Sequence, residues 1–466
     1  VENHVNKIQQ YLKSQGYSLV ASGYSDTIGQ WLHWYQGYFE KFHQYTVTVN
    51  STTRQLKRYT LGMAKTICED YATLLLNERV LITAKGFGAL PGILTDNAFY
   101  DRCNRLLELT MALGTGALVE FLSADGKPVI DYIRGDMIFP LSWDGDRITE
   151  CAFGSRTVYG SGKDAKQGYY IQIHTKSGTG HIVANVALDD AGGVIPLPEG
   201  VKPQTGPTQA PLFQILRPNI VNSVDLSNPM GMSVYGACID QLKACDLVYD
   251  SYVNEYMLGK KRLMVPQKLS QILLEEGGTM RPVFDPSDIL IYVYQQSEEG
   301  TDDIKPLDYT LRAQEHETGL QRMIDLLSKK CGLGAGRYRF DKTGVPAKTA
   351  TEIISEDDDL YQSVKRHEKP LERALVGMVR ALAELSGMDA QTPVTIEFDD
   401  SIFEDTGTII KRNMELVTAG FRSKAAAIME IDHCDEATAK NRLQEIADEQ
   451  MLQPETVDTL LSGERA

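Results

Sequence analysis

Residues 235–259, YGACIDQLKACDLVYDSYVNEYMLG, decide how the rest of the 466-residue chain is read. Tyr235, Cys238, Leu242, Cys245, Tyr249, Tyr252 and Tyr256 recur at alternating steps of three and four, which places all seven on one narrow stripe of a helix. A stripe of that kind is the seam of helices packed nearly side by side. Gly259 ends the pattern, and Lys260, Lys261 and Arg262 follow where cations suit a helix C-terminus. A second helical pattern opens after Pro306, Leu307 and Asp308 and carries Leu311, Leu320, Met323, Ile324, Leu327 and Cys331. At ~1.5 Å per residue the two helices would be roughly 37 and 31 Å long. The insert between them reads as a strand over 263–265, a short helix over 270–276, and strands over 289–294 and 304–307. The pair is either an antiparallel rod tipped by a small β-rich head or two helices of a larger core.

Upstream, residues 1–17 form an amphipathic helix with Val5, Ile8, Tyr11 and Leu12 on one face. An aromatic knot follows, with Trp31, Trp34, Tyr35 and Tyr38 and then Phe42, His43 and Tyr45. It could be a stacking platform for bases or sugars; the helical spacing of Trp31, Trp34 and Tyr35 favours a buried joint. Further helices are expected over 57–77 and 97–113. From Ala117 the period changes to two. Residues 117–122 and 129–133 around Asp125-Gly126 read as a hairpin, with more strands over 137–141, 147–159, 169–174, 181–188 and 212–216. Together they predict one antiparallel meander of roughly a hundred residues feeding into the rod. Beyond Cys331, alternate glycines at 332, 334 and 336 read as a flexible loop rather than a phosphate cradle, because a helix precedes them and the spacing is wrong. A long helix over 349–386, with a kink expected at Pro370, leads to a strand over 394–398 and an acidic turn. Helices over 408–419, 423–430 and 435–451 close the chain.

Composition sets bounds. A net charge of −16 argues against a basic coat gripping nucleic acid. Seven cysteines without a Cys-x-x-Cys pair suit a reducing compartment, with thiols acting as small apolar residues. No apolar run reaches the ~20 residues of a membrane span, so no membrane partner is expected. No signal segment opens the chain, which begins at Val1 rather than Met, so a few preceding residues are expected to be missing. The chain contains no Walker loop, no His-Glu-x-x-His and no nucleophile elbow. Asp399, Asp400, Glu404 and Asp405 are the best candidate for a metal cluster, yet they lack the spacing of an EF-hand. The expectation is therefore not an enzyme, with no cofactor and no metal. A metal-dependent nuclease using the turn 399–405 is the alternative.

The order of elements and several local strings resemble the portal proteins of tailed double-stranded-DNA bacteriophages, in the branch typical of long-tailed phages of Gram-positive hosts. The strings are Trp34, Tyr35 and Gly37 with Phe42, His43 and Tyr45; Met63, Ala64, Lys65, Ile67, Glu69 and Asp70 with Leu74, Leu75, Asn77 and Glu78; Pro306-Leu307; Thr349 to Ile353; and Phe398 to Ile402 with Asp405. The resemblance covers nearly the whole chain. It implies an α+β portal-like fold assembled as a ring, usually of twelve subunits, at one capsid vertex. In this mapping residues 1–234 and 349–420 form an α/β wing, and 235–259 and 311–331 a two-helix antiparallel stem. Residues 260–310 form a small α/β clip, 332–348 a channel-facing loop, and 421–466 a short helical crown.

The implied partners are double-stranded DNA held without sequence specificity, the terminase packaging ATPase, the major capsid and scaffold proteins, and a head-completion adaptor. The implied location is the virion, after assembly in the host cytoplasm. Twelve helices ~10 Å apart leave a bore near ~28 Å, which passes a duplex at least about 17 Å wide; six would not. Tyr235, Leu242, Tyr249, Tyr252 and Tyr256 are the expected stem contacts between subunits. Arg337, Arg339, Lys342 and Lys348 would face DNA. Glu275, Glu276, Glu298, Glu299, Asp302 and Asp303 would dock motor and adaptor.

Overall fold

The structure, a computed structural model, describes residues 2–19, 23–49, 51–77, 80–123, 125–160, 166–178, 180–259, 262–266, 271–273, 280–282, 291–294, 304–307, 310–340, 350–398, 406–432, 434 and 436–451. It divides into two compact units after Glu397.

The first unit opens with α1 (Glu2–Ser14) and α2 (Gly23–Tyr35), then α3 (Glu40–His43) and a hairpin of β1 (Gln44–Val49) and β2 (Thr52–Lys57). The sequence pattern had placed a helix from residue 57. Instead Lys57 ends a strand paired with Gln44, and α4 (Met63–Leu75) begins six residues later. After it come β3 (Leu81–Ala84), α5 (Leu90–Asp96) and α6 (Phe99–Leu113). Gly114 ends α6 at φ +81, and a Cβ there would stand 2.3 Å from the Gly231 carbonyl, so both conformation and space demand glycine.

The expected single meander is two sheets. β4 (Gly116–Leu122) and β5 (Pro128–Arg134) form the predicted hairpin, but the third partner of that sheet is a later strand, β12 (Phe213–Leu216), antiparallel to β4. β6 (Ile138–Asp144), β7 (Arg147–Tyr159), β8 (Lys166–Ser177), β9 (Gly180–Asp189) and β10 (Val194–Ile195) form the other in sequential order, with β11 (Gln204–Thr208) also on β9. Helix α1 buries Val5, Ile8 and Leu12 on this sheet against Phe139, Ala152, Tyr169, Ile171 and Leu188. Each side chain so buried contributes about 1.5–3 kcal/mol. The approach is close because Gly154 faces the helix: a Cβ there would lie 2.6 Å from Ile8 Cδ1.

A 3₁₀ turn (Gly236–Cys238) leads into α7 (Ile239–Leu258). Of the insert, β13 (Arg262–Pro266) lies between β16 (Ile291–Tyr294), parallel to it, and β17 (Lys305–Leu307), antiparallel. β14 (Gln271–Leu273) pairs with β15 (Met280–Pro282), so the short helix expected over 270–276 is overturned at its described residues. The extended run Gln271–Leu273 finds backbone partners across a hairpin, and tertiary pairing overrides local helix preference. α8 (Ala313–Lys330) packs along α7. α9 (Ala350–Leu385) runs unbroken through Pro370 and lies across β12 and β4. β18 (Val394–Glu397) then pairs antiparallel with β3, drawing the late chain back to the early one.

The second unit holds α10 (Thr406–Thr418), α11 (Lys424–Asp432) and α12 (Glu436–Met451). Its boundary assigns α10 to the C-terminal unit. No described helix is long and apolar enough to cross a membrane.

Candidate functional site: the helical hairpin and its attachment to the body

The stripe that organises the sequence is divided by its surroundings. Tyr235 is fully buried, with its hydroxyl donating to the Trp31 carbonyl at 2.8 Å. Leu242 and Cys245 are buried within the same subunit. The apolar surface of Tyr235 and Leu242, two of the expected stem contacts, is covered by the subunit's own core. Tyr249 and Tyr252 are half-buried, and Tyr256 is 47% exposed.

Two carboxylates one turn apart fasten α7 to the body. Asp246 accepts the Leu61 amide at 2.8 Å and the Thr60 hydroxyl at 3.2 Å, and His43 Nε2 lies 3.0 Å from its Oδ2. Asp250 accepts the Tyr59 amide at 2.9 Å and Asn254 Nδ2 at 3.1 Å. Both therefore hold the segment between β2 and α4. His43 is held in turn, because the Phe39 amide donates to its Nδ1 at 2.8 Å, which leaves the ring proton on Nε2 for Asp246. Burial pushes the Asp246 carboxyl above the usual range; the Leu61 amide, His43 and Thr60 pull the other way. The aromatic knot is the floor of this joint. Trp31 and Trp34 are buried, and the Trp34 ring lies 5.6 Å from Phe42 and 5.4 Å from His43. The buried-joint reading holds, and the stacking-platform reading falls.

At the other end, Arg312 clasps Glu255, with Nη2 at 2.8 Å from Oε2 and Nε at 3.2 Å from Oε1. That guanidinium holds the Glu255 carboxyl down to about 2. The Tyr252 ring stacks on His316 with centroids 5.6 Å apart and meets Tyr256 at 5.4 Å. Leu247, Tyr256 and Met257 on α7, with Leu326 on α8, are large apolar side chains left in solvent.

The glycine segment after α8 is anchored over its described part, 332–340, where the sequence suggested a flexible loop. Leu333 is buried, Ser328 donates to the Gly334 carbonyl at 2.6 Å, and Gln321 accepts the Phe340 amide at 3.1 Å. Gly332, at φ +87, sits where a Cβ would meet Ser363 Oγ at 2.7 Å. Arg337 points back to Asp70 of α4, Nε to Oδ2 at 3.1 Å. Arg339 lies in the same segment; Lys342 and Lys348 lie outside the described residues, as do Glu275, Glu276, Glu298, Glu299, Asp302, Asp303 and the turn 399–405. Among the described residues no group of acids, histidines or cysteines is arranged to hold a metal ion.

Sequence reasoning named His43 only as part of the aromatic knot and missed Asp246 and Asp250. The available signal was two acids at i and i+4 beside the apolar stripe, with nothing in the sequence to name their partners.

A family model described as phage portal protein, SPP1 Gp6-like, matches residues 24–452. No curated protein matches the chain. Among solved structures, the chain is similar to one from the neck of a native gene transfer agent particle computed with C12 symmetry. The identity is 14%, the TM-score 0.37, and the match covers 79% of this chain and 89% of that one. A second, from the virion of a native gene transfer agent particle, shows 13% identity and a TM-score of 0.37 over 80% and 89%. With the family model spanning nearly all of its length, the chain belongs to the SPP1 Gp6-like family of phage portal proteins, structural and non-enzymatic components of the virion that form the connector at a capsid vertex.

Proposed function

We propose that this portal is a closed ring of twelve subunits whose α7–α8 hairpins form the stem around a channel for double-stranded DNA. The observation that carries the ring is the set of apolar side chains left in solvent on α7, where Leu247, Tyr256 and Met257 are each about half exposed. Leu247 and Tyr256, nine residues apart, lie on opposite sides of the helix, so apolar surface is left on two faces, and in a rotationally closed ring each subunit meets one neighbour on either side. Twelve is the number that suits the bore, as the channel geometry above argues. The −16 charge per subunit suits a conduit, because it disfavours the counterion release that makes a protein stick to DNA.

In this reading residues 1–234 and 349–420 form the wing toward the major capsid and scaffold proteins, and 421–466 the crown. The insert 260–310 is the clip. Its acids Glu275, Glu276, Glu298, Glu299, Asp302 and Asp303 meet the terminase packaging ATPase during filling and the head-completion adaptor and tail afterwards. Reversing their charge should then weaken motor binding and flatten its salt dependence; unchanged binding would remove them from the docking surface. The chain around 332–348 faces the bore. Arg339, Lys342 and Lys348 touch phosphates weakly, while Arg337 ties the loop to Asp70. Changing the three to Gln should alter packaging or retention of DNA in assembled particles; wild-type packaging and retention would rule the contact out.

The ring itself is tested by class-averaged electron micrographs of purified protein beside the double variant Tyr256→Asp, Met257→Asp. Wild type is expected to give closed twelvefold rings, and the variant folded single subunits with an unchanged unfolding temperature. Rings from the variant would overturn the assignment of the interface, and a wild-type monomer the ring.

A further inference from the structure

From Lys41 to Cys68 the sequence contains no acidic residue, and in a chain of net charge −16 this stretch carries Lys41, Arg54, Lys57, Arg58 and Lys65. It is built round the β1–β2 hairpin, a ribbon in which, among the described residues, each strand pairs with the other alone. Two strands by themselves are marginal in water unless something covers one of their faces. This ribbon is anchored at its root. Arg58 Nη1 donates to the Phe42 carbonyl, its guanidinium lies 4.4 Å from the Tyr45 ring centre, and Lys57 Nζ lies 4.7 Å from that of Tyr38. Tyr59 follows, with its amide on Asp250 and its hydroxyl on the Met257 sulfur at 3.5 Å. Beyond the root, residues 53–57 are exposed.

The two faces of the ribbon differ. The register sets Gln44, Thr46 and Thr48 against Lys57, Gln55 and Thr53 on one of them. There Gln55 Nε2 donates to Gln44 Oε1 at 2.8 Å, and the Thr48 and Thr53 hydroxyls are 3.2 Å apart. That face is polar and largely satisfies itself. The other face sets Tyr45 opposite Leu56 and Val47 opposite Arg54, and Leu56 is 41% exposed. None of Arg54, Lys57 and Arg58 has a carboxylate partner among the described residues.

We propose that the β1–β2 hairpin is an arm that docks on a second copy of this chain, the next subunit of the ring, which covers the Tyr45, Val47 and Leu56 face and meets Arg54 with its acids. The inference rests on the ring reading and adds an element to it. Charge selects the occupant, because a basic arm on an acidic chain finds its electrostatic complement in another copy. Position agrees: Tyr59 at the foot of the arm touches Met257, so a neighbour seated on that side of α7 also reaches the hairpin. The chemistry of the face decides against nucleic acid. Phosphates would satisfy Arg54 and leave Tyr45, Val47 and Leu56 in water, whereas a protein surface covers both.

Two measurements on the purified full chain test the arm. In the first, Leu56 is replaced by the photo-crosslinking residue p-benzoylphenylalanine, and the assembled protein is illuminated with and without linear duplex DNA. A ladder of covalently joined subunits is expected, with the same yield in both samples. In the second, light scattering follows assembly of the variant Arg54→Glu, Leu56→Glu beside wild type. The concentration at which half the subunits are in rings should rise by about tenfold or more, and added salt should weaken wild-type assembly more than that of the variant. Both positions are exposed, so the unfolding temperature of the subunit should move by no more than about 2 °C. Wild-type rings with no crosslink between subunits, together with variant rings at the wild-type concentration, would overturn the arm and leave the ring standing. Crosslinks to DNA in place of subunits would overturn it in favour of a nucleic-acid contact. A wild type that stays monomeric at every concentration would overturn the ring and the arm together.

Discussion

The two halves of α7 carry the same stripe and meet opposite surroundings. From Ile239 to Asp250 the stripe side is covered by the subunit itself: Leu242 is 3% exposed, Cys245 0% and Asp246 4%. From Ser251 to Leu258 the stripe leaves Tyr256 at 47%, and Met257, beside the stripe, is 50% exposed. A helical period states which residues share a face, but it does not state what covers that face. The first half is held by the body through buried carboxylates. The second is held by α8 and by the Tyr59 hydroxyl, which donates to the Met257 sulfur at 3.5 Å. The lesson is that one continuous seam serves folding at one end and, in our reading, assembly at the other.

The sharpest way to break this contrast is Leu242→Asp. If the first half belongs to the subunit core, a carboxylate there is buried without a partner, and the subunit should lose at least ~4 kcal/mol and fail to fold stably. Urea unfolding of the variant measures it. A well-folded subunit that merely fails to form rings is what the sequence alone suggested, and finding it would return Leu242 to the interface.

Asp246→Ala comes next. It strands the Leu61 amide and the His43 Nε2–H inside the joint, and should cost about 3–5 kcal/mol. Asp250→Ala releases one body contact, the Tyr59 amide, and should cost only ~1–2 kcal/mol. Equal small losses in denaturant midpoint would show that the hairpin is held by apolar packing and not by its carboxylates.

How much of this was legible follows the same division. The stripe, the return helix, the 117–133 hairpin and the termination of α6 at Gly114 all rest on local chemistry, and the pattern showed each of them. β1 carries a period-two face in Tyr45, Val47 and Val49, but the β1–β2 hairpin escaped because β2, Thr-Thr-Arg-Gln-Leu-Lys, has no apolar alternation and residues 53–57 are exposed. The pairing of β12 with β4, and of β18 with β3, joins segments about a hundred and three hundred residues apart, which no local window sees. The site divides likewise. Tyr256 was recognised as a stripe residue, but Asp246 was invisible, because a buried acid is recognised by the amides and imidazole it meets. Arg337 is expected from its loop to face DNA, and its partner Asp70 sits far back in α4, where no local window sees it.

The smallest expected effect sharpens the contrast at the exposed end. Glu255 is tied to Arg312 and lies 3.6 Å from His316 Nε2, joining the last turn of α7 to the start of α8. Its folded value of about 2 lies below the ordinary 4.5, so the group binds its proton more readily unfolded than folded. The sign follows: its contribution is complete above about 4.5 and is lost as the pH falls from there toward about 2. The pair is solvent-facing and screened by salt, so the effect belongs at the low end of what ion pairs contribute. Unfolding midpoints of wild type and Glu255→Gln, taken across that acid window at low salt, should converge as the pH drops, and added salt should shrink the gap at neutral pH. Arg312→Gln should reproduce the Glu255→Gln profile. Parallel profiles at every pH would mean that the clasp does not hold the tip of the hairpin, and the exposed end would then depend on its neighbours for order as well as for assembly.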